Sequence, residues 1–138
     1  MATQSPQKER LLKLSILQRR AEDVSEEKFH RHWTGIHGPL AAKWLASTGI
    51  IGYIQYHTPS SVKSQMETMA EKTGWEISDY DGHVEIYCRS VEELERAVKD
   101  EFYRETVHPD ETFLDQKRST VTLGWEEKYV VDGKVVGS

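Results

Sequence analysis

The sequence is poor in cysteine, in basic runs and in long apolar runs, and each shortage removes a class of protein. Cys88 is the sole cysteine among 138 residues, so no internal disulfide can form and a reducing compartment suits the chain best. Adjacent basic residues occur only at Arg19-Arg20 and Lys117-Arg118, and the net charge is −5. Binding a phosphate backbone requires the opposite balance, so nucleic acid is not an expected partner. The same acidity disfavours an anionic membrane surface. Apolar runs of a few residues fall far short of the roughly 20 that a membrane helix requires. The opening stretch, residues 1–10, is polar and lacks the apolar centre of a secretory signal, which makes the cytoplasm the expected location. Glycine-rich phosphate loops, His-Glu-x-x-His and Cys-x-x-Cys patterns are also missing. Neither a metal nor a cofactor is therefore expected.

The apolar residues that are present recur with clear periods, so a folded domain is expected rather than disorder. Leu12, Leu14 and Ile16 alternate with Lys13 and Ser15, the period-2 pattern of a first strand over residues 11–18. Ser25 suits a helix N-cap, with Glu26 and Glu27 placed to complement the dipole. Phe29, Trp33 and Ile36 mark the buried stripe of that helix, Gly38 interrupts it, and Pro39 opens a second helix closed by Gly49. A second strand is expected over 50–57, then a helix with Val62, Met66, Met69 and Ala70 on one stripe. A third strand covers 83–88. Ser90-Val-Glu-Glu93 reads as a capping box for a helix with Val91, Leu94, Val98 and Phe102 inward. The Val107-His108-Pro109 segment breaks that helix, and a last strand runs from Thr120 to about Val131. Residues 1–10 and 132–138 read as flexible tails, the second alternatively as a hairpin return at Asp132-Gly133.

This order predicts one α+β domain over residues 11–131, ferredoxin-like, with a four-stranded antiparallel sheet and helices on one face. The other face of such a sheet stays bare, and stacking two copies sheet on sheet would seal it. A homodimer is thus expected.

The segment Phe29-His-Arg-His32-Trp33-Thr-Gly-Ile-His37-Gly38-Pro39 resembles the EthD family of dimeric α+β barrels. Its recurring aromatic residue, Tyr/His-Trp pair and His-x-Pro are matched by Phe29, His32-Trp33 and His37-Gly38-Pro39. The stretch from Trp44 to His57 is most similar to fungal polyketide-tailoring members. The resemblance implies decarboxylation of an aromatic or hydroaromatic polyketide acid, such as atrochrysone carboxylic acid, without a cofactor. The same superfamily implies alternatives: a polyketide cyclase or dehydratase, a cofactor-free anthrone-type monooxygenase, or a non-catalytic ligand-binding subunit.

Helical spacing places His37 on the stripe of Phe29 and Trp33. It is either a core histidine bonded near the Gly38 break or an imidazole facing a pocket between helix and sheet; the resemblance favours an acid/base role. Tyr53, Gln55 and His57 share a strand face too polar for a closed core, which is expected to meet solvent, a partner or a ligand. Tyr53 is the expected oxyanion donor, and His32 and His108 are further candidates. Trp33, Trp44, Tyr56, Trp75 and Phe113 are available to sandwich a flat polyketide substrate. Cys88 alternates with Val84 and Ile86 and is expected in the core.

Overall fold

The computed structural model describes residues 10–136, so most of the expected N-terminal tail lies outside the described residues. Strands β1 (Leu12–Gln18), β2 (Gly52–His57), β3 (Gly82–Cys88) and β4 (Thr120–Gly124) form one sheet in the order β2-β3-β1-β4. All three pairings are antiparallel. This is the ferredoxin-like arrangement of an α+β fold. Strand β3 is central, and its burial alternates strictly: Gly82, Val84, Ile86 and Cys88 are buried between half-buried neighbours. One sheet face therefore carries the core and the other carries polar groups.

The core face meets Phe29, Trp33, Trp44, Leu45, Ala97, Val107 and Phe113 from the helical layer. Phe29 and Trp33 are fully enclosed, and burying each large side chain stabilises the fold by roughly 1.5–3 kcal/mol. The rim of the Trp33 indole lies against β3 at Gly82, where an added Cβ would fall 2.5 Å from the ring. Only a residue without a side chain admits the indole there.

The helix that carries His37 is not broken at Gly38. Helices α1 (Glu26–His32) and α2 (Gly38–Ser47) are joined by a π-helical turn, Trp33–His37, without leaving helical backbone angles. Pro39 has no N–H to give the preceding turn, and the chain accommodates it by widening. The Gly38 N–H bonds the Trp33 carbonyl five residues back. Because of this turn Ile36 points outward, 53% exposed, and His37 takes the buried place expected for it. A second π turn, Tyr103–Val107, precedes His108-Pro109 in the same manner and leads into a 3-10 turn, His108–Phe113.

Other expectations are corrected as well. The 60–73 stretch is two short helices, α3 (Ser60–Lys63) and α4 (Glu67–Thr73), around a 3-10 turn, and of its stripe only Ala70 is buried. In α5 (Val91–Lys99) the inward residue is Ala97, with Leu94 and Phe102 packed beside the core; Val91 and Val98 are exposed. Ser90 caps this helix as expected, although Glu93 returns to the Arg89 N–H. Strand β4 ends at Gly124, and beyond it β5 (Val130–Val131) pairs with β6 (Lys134–Val135). Asp132 and Gly133 both have positive φ, the geometry of a type I′ hairpin turn.

Candidate functional site

His37 is placed by the last residue of the first π turn and is 6% exposed. Its Nδ1–H donates to Asp110 Oδ2 at 3.0 Å. His32, one turn earlier, donates from Nε2 to the same carboxylate, 3.0 Å from Oδ2 and 3.1 Å from Oδ1. Phe113 closes the site from beneath, its ring centroid 4.7 Å from that of His32 and 5.1 Å from that of His37. The Asp110 carboxylate thus leaves Nε2 of His37 as the ring nitrogen able to exchange a proton. Side-chain exposure rises from 8% at His37 to 19% at Asp110 and 29% at His32. The group is therefore approached from the His32 side.

Asp110 is the residue that sequence reading missed. Its Pro-Asp position at the start of a helical turn reads as ordinary helix initiation, and only the fold carries it to His37. The neighbouring His108 is 63% exposed at its side chain and donates to Glu111 rather than to His37 or Asp110.

Behind the π turn lies a second polar chain. The face of β2 with Tyr53, Gln55 and His57 packs against the helical layer, not against solvent. Its polarity is satisfied internally: Gln55 Nε2 donates to the Trp33 carbonyl and to the Tyr53 hydroxyl, both at 3.0 Å. Gln55 Oε1 lies 2.8 Å from His57 Nε2, and His57 Nδ1 lies 2.7 Å from His30 Nδ1. His30 Nε2 is buried without a partner. Burial holds both the His30 and the His57 imidazoles below the ordinary histidine value. Burial also raises the Tyr53 phenol above its usual value, helped by the Glu111 carboxylate and opposed by Gln55 and Trp33. The close approach of Gln55 depends on Gly38: a Cβ there would sit 2.9 Å from Gln55 Nε2 and 2.9 Å from the Trp33 oxygen.

The aromatic residues expected at a substrate divide differently. Phe113 is at the site. Trp33 is sealed in the core next to His57, ring centroids 4.3 Å apart. Trp44 stacks on Tyr103 and donates its indole N–H to the Ala97 carbonyl at 2.7 Å. Tyr56 lies on the opposite sheet face, edge-on to His83. Trp75 is 61% exposed in the segment before β3. His37 itself is nearly enclosed and packs on Phe113. Two shallow clefts lie elsewhere, one of about 200 Å³ over Lys13, Ser15 and Thr122, the other of about 450 Å³ beside Ala21, Leu114 and Asp115.

Residues 21–117 match the family model described as the EthD domain. A decarboxylase of Claviceps purpurea is 30% identical over 137 residues, covering 99% of this chain and 97% of the relative. A conidial pigment biosynthesis dehydratase EthD of Metarhizium robertsii is 32% identical, covering 96% and 94%. Among solved structures, an EthD family protein of Bacillus halodurans superposes with a TM-score of 0.58 at 21% identity, over 85% of this chain and 99% of that one. That likeness concerns the fold.

Proposed function

The chain belongs to the EthD domain family, and on that premise we propose that it is a cytosolic, cofactor-independent decarboxylase of aromatic or hydroaromatic polyketide β-keto acids. The observation that carries this reading is the His37–Asp110 pair at 3.0 Å, an oriented imidazole with one free nitrogen. A β-keto acid supplies its own electron sink. As the bond to the carboxylate breaks, its electron pair forms the enolate C=C and the ketone oxygen takes the negative charge, releasing carbon dioxide. The protein then has two duties: to donate a hydrogen bond to that oxygen and to return one proton to carbon.

As the imidazolium, His37 gives its Nε2 proton to carbon and keeps Nδ1–H on Asp110, which fixes the ring; solvent then returns a proton to Nε2. The Tyr53 hydroxyl is the oxyanion donor. His32 shares the Asp110 carboxylate and guards the open side of the site, and Phe113 supplies the apolar wall. His37→Ala and His37→Gln are expected to abolish carbon dioxide release from atrochrysone carboxylic acid in a folded protein. Wild-type turnover in either variant would refute the assignment.

A dehydratase is the second reading, favoured by the Metarhizium robertsii relative. Loss of water from a β-hydroxy ketone passes through a similar enolate, so the same residues would serve. Product analysis separates the two: one releases carbon dioxide, the other does not.

The bare sheet face is proposed to pair with a second copy. It exposes Ile54 and Tyr56 beside the half-buried Lys13–Glu85 ion pair at 2.9 Å, and sedimentation of the purified chain would reveal a dimer. Among the described residues no helix is long and apolar enough to cross a membrane.

A further inference from the structure

A backbone carbonyl can only accept a hydrogen bond, and that fact fixes the direction of the whole chain behind the π turn. The Gln55 amide atom 3.0 Å from the Trp33 oxygen must be its nitrogen. Turning the amide over would set two oxygens against each other. The Tyr53 oxygen, 3.0 Å from the same nitrogen, is therefore an acceptor, because an amide nitrogen accepts nothing. Its own proton is left to donate elsewhere.

The other end of the amide propagates the same direction. Gln55 Oε1 must receive the Nε2–H of His57. Neutral His57 then has a bare Nδ1, which must accept from His30 Nδ1–H at 2.7 Å. That leaves His30 Nε2 without a proton, and this is the atom that is buried without a partner. One carbonyl thus determines two tautomers and one hydroxyl.

We infer that Gln55 is a positioning residue that holds Tyr53 in the donor role, with its own orientation locked by the Trp33 carbonyl on one side and the His57–His30 pair on the other. This rests on the decarboxylase reading for what Tyr53 donates to, but the direction of the chain stands apart from it. A phenol whose oxygen already accepts from an amide is a better donor to an enolate, since hydrogen bonds in series polarise one another. The Gln55 amide occupies one of the two acceptor sites of that oxygen and so biases the hydroxyl toward donating. The groups that bear on His30 are Glu26 and Asp81, which favour its charged form, and Arg20 and Lys63, which oppose it.

Two measurements on the full chain test this. Nitrogen-15 spectra of the wild type at about pH 8, above the ordinary histidine value, are expected to show the Nε2–H tautomer at His57 and the Nδ1–H tautomer at His30. The opposite tautomer at His57 would overturn the inference without any assay. With atrochrysone carboxylic acid as substrate, Tyr53→Phe is expected to lower kcat roughly 100-fold and Gln55→Met about tenfold, with KM within about twofold. The double variant is expected to be no slower than Tyr53→Phe alone. Independent, multiplying losses, or wild-type kcat in Gln55→Met, would overturn the inference. Retained turnover in His37→Ala would instead defeat the decarboxylase reading, and the tautomers would still decide the direction of the chain.

Discussion

His37 Nδ1 and Asp110 Oδ2 meet at 3.0 Å although 73 positions separate them in sequence. Asp110→Asn keeps the shape of the side chain but removes the charge, and its amide can turn a donor toward either histidine. We expect kcat to fall by about 10²-fold or more, within the usual range of general acid–base catalysis, while circular dichroism stays native. Carbon dioxide release measured beside thermal melting would check both halves.

Gly38→Ala should be felt in catalysis more than its exposure suggests. The new methyl would lie 2.9 Å from Gln55 Nε2, so the amide must withdraw from the Trp33 carbonyl. Overpacking of this kind costs about 1–3 kcal/mol. A loss of turnover resembling that of Gln55→Met is the expected result.

Gly82→Ala presses instead on the Trp33 ring, at 2.5 Å. It is expected to destabilise the fold by about 1–3 kcal/mol or more, with a clear drop in Tm. A variant that melts like the wild type would show that the indole does not rest on β3.

Trp44→Phe separates core from site. It removes the bond from the indole to Ala97, whose carbonyl then keeps only the Asp100 N–H at 3.2 Å, a net loss of about 0.5–1.5 kcal/mol. Because Trp44 faces Tyr103 rather than His37, kcat should be unchanged at temperatures where the variant is folded.

Stability should decline on mild acidification. Burial lowers the pKa of His30, His57 and His83 in the folded state. A depressed histidine contributes stability that is fully present above the unfolded value near 6.5. That contribution is lost as pH falls through the lower folded values. Denaturant midpoints measured downward from neutrality should begin to fall as pH drops below the ordinary histidine value. The fall should be shallower in His30→Gln.

The sheet was legible because its strands alternate cleanly, as Leu12 to Ile16 and Val84 to Cys88 do. His37 was legible because helical spacing from Phe29 and Trp33 survives the π turn. Asp110 was not, since nothing local distinguishes a Pro-Asp that starts a turn from one that also meets a distant histidine. The polar face of β2 was misread for a related reason. Tyr53, Gln55 and His57 look unsuited to a core until their partners, a carbonyl on Trp33 and a ring on His30, are brought across from the helix. The exposed Val62, Met66 and Met69 show the converse: a helical stripe in sequence need not find a partner within its own chain.

The π turn also solves a problem of angular bookkeeping. Phe29, Trp33, His37, Ala41 and Leu45 are all buried, a strict spacing of four. In an unbroken α-helix each such step overshoots a full turn by about 40°, so the last member would face far from the first. The wider turn at Trp33–His37 subtracts part of that drift and keeps the five side chains on one line. Replacing Pro39 with alanine would restore the missing N–H and permit the ordinary helical register. The line would then fan out, and His37 would rotate away from Asp110 without any change to the residues of the site.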